Sequence, residues 1–155
     1  MTETSVPYEQ VDWDTLLAFL PVFDQTGFEI GEVVGGDRAE DGTLTLPSWV
    51  DRPEVSRFIQ AVYDTGAILW GFDWSRWHDR AVRYIDQPDQ LASADLDICR
   101  RLLTTHVRQD RFADGHLGAM IESGHIGAVL KRIEEIVQGG ETAPPERSVE
   151  IRCVG

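Results

Sequence analysis

At 155 residues, with 42% apolar and 26% charged positions, the chain has the balance of an ordinary globular protein and length for one domain with its own core. Its longest apolar runs reach about half of a membrane span, and its acidic start lacks the basic and apolar regions of a signal peptide, so neither is expected. A net charge of −13 argues against binding a phosphate backbone or an anionic membrane surface.

The spacing predicts a first helix over residues 8–20. Val11, Leu16, Leu17, Phe19 and Leu20 share one side, and Pro21 sits where the helix should stop. Phe28, Ile30 and Val33 then suggest a strand, residues 35–42 a loop, and residues 43–46 a returning strand, together a small hairpin. Pro53, acceptable at a first helical position, opens a second helix with Glu54 in its first turn and a stripe of Val55, Phe58, Ile59 and Val62. Residues 67–70 read as a short buried strand. Residues 75–85 read as a third helix with Asp73 as its cap, and Pro88 with Asp89 as a turn.

The C-terminal half reads as three helices. Ser93 or Asp95 caps the first, which extends to about Arg111; Asp114 caps a short one ending at Glu122. Ser123 or Gly124 breaks the chain, and the last helix runs to about Gln138 on a stripe of Ile126, Val129, Leu130, Ile133, Ile136 and Val137. The expected fold is therefore α+β and predominantly α-helical, with helices around one core and a small hairpin in the N-terminal half. One domain is expected over residues 1–138, followed by a linker-like tail over 139–155 in which residues 148–154 read as a strand or as disordered.

Chemistry concentrates in residues 104–116. On a helix advancing about 100° per residue, Leu96, Cys99, Leu102, Leu103 and Val107 fall on one face, and so do His106 and Asp110. These two are four residues apart and within reach of each other. A carboxylate beside His106 would fix its tautomer and make it more basic, as a general base or acid requires; equally, the pair would serve as a buried structural link. Arg108 points the opposite way. Arg111 beside a helix start would suit a carboxylate or phosphate, or would pair with Asp110 or Glu122.

His106, His116 and His125 lie within twenty residues of one another, but no strong metal-ligand signature such as H-E-x-x-H is present. No phosphate-binding glycine motif and no G-x-S-x-G occurs. Cys99 and Cys153 form no framework and fit a reduced, cytoplasmic protein. Trp70, Phe72, Trp74 and Trp77 read as core, and an exposed Trp74 or Trp77 would be a contact for a partner or a stacking base.

Four stretches together resemble an uncharacterised bacterial and archaeal domain family of unknown function: L-L-T-T-H-V-R-Q-D-R-F-A-D-G-H-L at residues 102–117, E-S-G-H-I at 122–126, F-D-W-S-R-W at 72–77 and L-L-A-F-L-P at 16–21. The resemblance spans roughly residues 12–137 and implies only that the helical segment is the family's signature.

These residues favour a regulatory or protein-interaction module bearing a polar His/Asp/Arg cluster. The alternative is a small hydrolase or transferase acting on a phosphorylated or nucleotide-like ligand, with His106, Asp110, Arg111 and His116 as candidate catalytic residues. No cofactor and no metal are expected. The partner would be a protein or a small anionic ligand, and an exposed stripe would also allow a homodimer. DNA binding through the helical pair at 114–138 is disfavoured, because Glu134 and Glu135 stand beside Lys131 and Arg132.

Overall fold

Asp12 breaks the first helical region into pieces. In the computed structural model, which describes residues 5–25 and 27–139, a 3-10 turn at Tyr8–Gln10 precedes α1 (Trp13–Leu17) and α2 (Leu20–Phe23). The Asp12 carboxylate accepts the N–H of Thr15 at 3.2 Å and its hydroxyl at 2.6 Å, so a new helix starts at Trp13. Pro21 does not end a helix as expected. It lies in the first turn of α2, where a missing N–H costs nothing.

The expected hairpin is present, with its second strand displaced. β1 (Gly31–Val34) pairs antiparallel with β2 (Ser48–Asp51), Val33 opposite Trp49. Residues 43–46, expected as that strand, form no strand; they make an isolated bridge between Leu44 and Arg38, and Thr43 and Thr45 share backbone hydrogen bonds with Gly36, Asp37 and Ala39. Packing explains the shift: the Trp49 indole lies over Gly31, where any Cβ would collide with it, and its N–H donates to Asp51 at 2.6 Å.

α3 (Pro53–Asp64) matches the expected helix, with Val55, Phe58 and Val62 buried and Ile59 half-buried. Phe58 meets Phe19 and Phe23 edge-on, each at 5.3 Å, which fastens α2 to α3. Residues 67–70 form no strand. Ala67 and Ile68 are buried, and two side chains further along the chain, Arg100 and Thr104, supply the hydrogen bonds a neighbouring strand would have given. The Arg100 guanidinium donates to the carbonyls of Gly66 (2.9 Å), Ala67 (3.1 Å) and Ile68 (3.4 Å), and Thr104 Oγ1 accepts the N–H of Leu69 at 3.0 Å.

α4 (Trp74–Asp86) begins at Asp73, whose carboxylate accepts the N–H of Arg76. Pro88 opens a short helix, α5 (Pro88–Ala92), instead of a turn, because proline is pre-set for a first helical position. α6 (Leu96–Asp110) is capped by Asp95, which accepts the N–H of Ile98 at 2.9 Å. α7 (His116–Glu122) and α8 (His125–Gly139) follow, separated at Ser123 and Gly124.

α6 is the central element and touches α3, α4, α7 and α8. The stripe read on α8 is its packed face: Ile126, Val129, Leu130, Ile133 and Ile136 are buried and Val137 is half-buried. Among the described residues no helix is long and apolar enough to cross a membrane. The tail after Gly139, with the strand reading at 148–154, lies outside the described residues.

Candidate functional site

The end of α6 and the start of α7 form a polar corner, and its bonds differ from those the helical spacing suggests. His106 lies on the apolar face as expected and is 2% exposed. It does not pair with Asp110. Its Nδ1 lies 3.0 Å from Nε2 of half-buried His116 on α7, and the ring of His125 from α8 stands edge-on at 5.0 Å. Asp110 instead points past the end of α6, where its Oδ1 accepts the N–H of Leu117 at 2.8 Å. That N–H is one of the first-turn donors of α7 with no partner inside the helix, so Asp110 does the work expected of Asp114.

Asp114 is exposed and caps nothing; the residue that precedes α7 is Gly115, with φ 84°. Only glycine takes that left-handed conformation without strain, and the Trp49 indole lies against this position. Ile30 packs on Gly118 in the same way. The hairpin is thus seated on the first turn of α7, and Asp51 stands near enough to Asp110 to bear on its charge.

Three histidines, His106, His116 and His125, are biased towards their neutral form. Burial pushes His106 down to about 2, and the neighbouring His125, His116 and His78, where a second positive charge would be repelled, act in the same direction. Burial, then His116, brings His125 down to about 4, and burial with His78 lowers His116. The carboxylate that would have made His106 more basic is occupied at Leu117, and burial raises it as well. The chain's four histidines, from α4, α6, α7 and α8, therefore form one electrostatic group.

His78 escaped the sequence reading because nothing local marks it. Arg100 carried a readable signal, since it shares the apolar stripe with Leu96, Leu103 and Val107 and is itself buried. Around the corner Thr105 Oγ1, His106 Nε2, Gln109 Oε1 and His125 Nε2 are buried without a hydrogen-bond partner. Among the described residues no three His, Cys, Asp or Glu side chains are arranged to hold a metal ion.

Arg111 is exposed, and among the described residues its guanidinium has no hydrogen-bond or ion-pair partner. Arg108 leaves the opposite side of α6, as expected, but is half-buried with its guanidinium 5.7 Å from the ring of Trp70. In the loop after α6, Phe112 is 79% exposed and stacks on Trp74 at 6.0 Å. Trp77 is buried between Phe72 and Tyr84, as the core reading required.

A family model covers residues 8–139, nearly the span over which the motifs carried their resemblance. The chain belongs to this family, DUF6508, a family of unknown function. The polar corner and the hairpin both fall inside the region that defines DUF6508. No curated protein and no solved structure matches the chain.

Proposed function

We propose that this chain is a protein-interaction module whose recognition surface is the β-hairpin, while the polar corner at α6 and α7 acts as the scaffold that seats it. One observation carries the reading. Among the described residues the exposed large apolar side chains are Val33, Val34, Leu44, Leu46, Val50 and Phe112: five on the hairpin span and one in the loop beside its seat. Leu46 is 79% exposed. Apolar side chains grouped in this way mark a surface that a partner covers.

A two-stranded hairpin is marginal alone and leaves backbone donors and acceptors unpaired along both outer edges. The partner fitted to it is an extended segment that adds a strand and carries apolar and basic side chains. Its basic character follows from the acidic residues around the patch, where Glu29, Glu32, Asp37, Glu40 and Asp41 are all exposed against Arg38. The catalytic alternative has less support, because His106 is closed off from solvent by its neighbours while Arg111 lies on the exposed side.

A displayed random-peptide library panned against the protein tests this. The expected result is enrichment of peptides that combine basic and apolar residues, whose binding is lost in Leu46→Glu and Val50→Glu at unchanged thermal midpoint. Equal binding to those variants, or no enrichment, would overturn the reading.

A further inference from the structure

We propose that His106, His116 and His125 form a site for a divalent transition-metal ion of the kind that prefers imidazole ligands, which ties α6, α7 and α8 together beside the turn on which the hairpin rests. The chain has four histidines, and these three come from three helices to one place in its interior. His106 Nδ1 and His116 Nε2 stand 3.0 Å apart. Two nitrogens bound ~2.0–2.1 Å from one tetrahedral ion lie roughly 3.3 Å from each other, so this pair is spaced almost as two ligands are.

The rings repeat the pattern. Their centroids lie 5.2 Å apart for His106 and His116, and 5.0 Å apart for His106 and His125. An imidazole centre sits ~1.1 Å beyond its nitrogen, which puts the rings of two ligands roughly 5.2 Å apart.

His125 Nε2 is the third ligand. As the side chains stand, no three donors surround one point among the described residues. A turn of the His125 ring supplies the missing one. Its Nε2 is buried without a hydrogen-bond partner, so the turn breaks no bond there and gives a solitary polar atom a partner. Half-buried His116 leaves a fourth position to water.

The donors also select the ion. The nearest carboxylate on α6, Asp110, is committed to the N–H of Leu117. Nitrogens alone suit Zn²⁺, Cu²⁺ or Ni²⁺, whereas Ca²⁺ and Mg²⁺ take oxygen. The site is separate from the hairpin's exposed surface, and the proposal stands or falls apart from that reading.

Zn²⁺ titrated into the chelator-treated full chain tests it, by competition with a chromophoric chelator and by long-range nitrogen NMR of the histidine rings. The expected result is one equivalent bound with micromolar or tighter affinity. Coordination shifts should appear at His106 Nδ1, His116 Nε2 and His125 Nε2, and not at His78. His116→Ala and His125→Ala should weaken binding by more than the ~10–100-fold that loss of a supporting hydrogen bond costs a metal site. His78→Ala should bind as the wild type does, and excess Mg²⁺ should not compete. No binding, or binding without shifts at those three nitrogens, would overturn the proposal, and the wild-type spectra decide this even where a variant fails to fold. A folded His125→Ala that binds as tightly as the wild type would overturn it too.

Discussion

His106 and Asp110 stand one turn apart on α6 and bond to successive residues of α7: His106 Nδ1 to His116 Nε2 at 3.0 Å, Asp110 Oδ1 to the N–H of Leu117 at 2.8 Å. α7 has only seven residues, too few to hold its own first turn, so these two bonds and the apolar contact of Leu117 fix where it starts. The hairpin rests on that same turn through Trp49 and Ile30, which links the buried corner to the exposed apolar surface.

Asp110→Ala should therefore destabilise the protein by about 1–2 kcal/mol, the usual cost of losing a helix cap. Asp110→Asn keeps an acceptor oxygen and should recover most of that loss. Urea denaturation of both variants checks it; an Ala variant as stable as the wild type would mean that Leu117 does not depend on this carboxylate.

Stability should fall as the pH drops below neutrality. His106 and His125 are held at about 2 and about 4, against 6.5 when unperturbed, so between those values only the unfolded chain takes up their protons. The contribution is complete above pH 6.5 and declines below it, by ~1.4 kcal/mol per pH unit for each of these two histidines. Asp110, raised by burial, acts in the opposite sense. A urea midpoint that stays level from pH 7 to pH 5 would contradict this.

Two arginines eight residues apart on α6 should behave differently. Arg100→Ala leaves the carbonyls of Gly66, Ala67 and Ile68 without their donor inside the core and should cost on the order of 3 kcal/mol. Arg108→Ala removes a half-exposed stack on Trp70 and should cost only about 0.5–1 kcal/mol. Thermal midpoints of the two variants decide the order, and a larger loss in Arg108→Ala would refute the assignment of faces.

Gly31→Ala should unseat the hairpin, since the new methyl would collide with the Trp49 indole and the Val50 carbonyl. Gly115→Ala should do so more mildly, through ~1 kcal/mol of strain at its positive φ and a close approach to the same indole. Amide exchange across β1 and β2 should quicken in both, most in Gly31→Ala. Unchanged protection in Gly31→Ala would show that Trp49 does not set the register.

The helical pattern was readable wherever a long element buries one stripe, as in α3, α6 and α8. The same reading placed His106 on the buried face, but it could not say what met it there. Spacing along one helix points to Asp110, whereas the actual partner, His116, lies across a helix boundary. Alternation in Thr43, Leu44, Thr45 and Leu46 looked more strand-like than Ser48, Trp49, Val50 and Asp51, yet the strand forms where the indole can lie on Gly31. Ala67 to Trp70 looked like a strand because it is apolar and buried; its backbone is satisfied by Arg100 and Thr104, which no local pattern encodes.

The buried histidines of the polar corner thus form an internal, neutral scaffold. Long-range nitrogen NMR of the four histidine rings between pH 7.5 and pH 5 tests it most directly. The account predicts that His106 and His125 stay neutral throughout, with one N–H shared between His106 Nδ1 and His116 Nε2. Protonation of His106 near pH 6.5, with its ring nitrogens open to solvent exchange, would contradict it and restore the corner as a candidate active site.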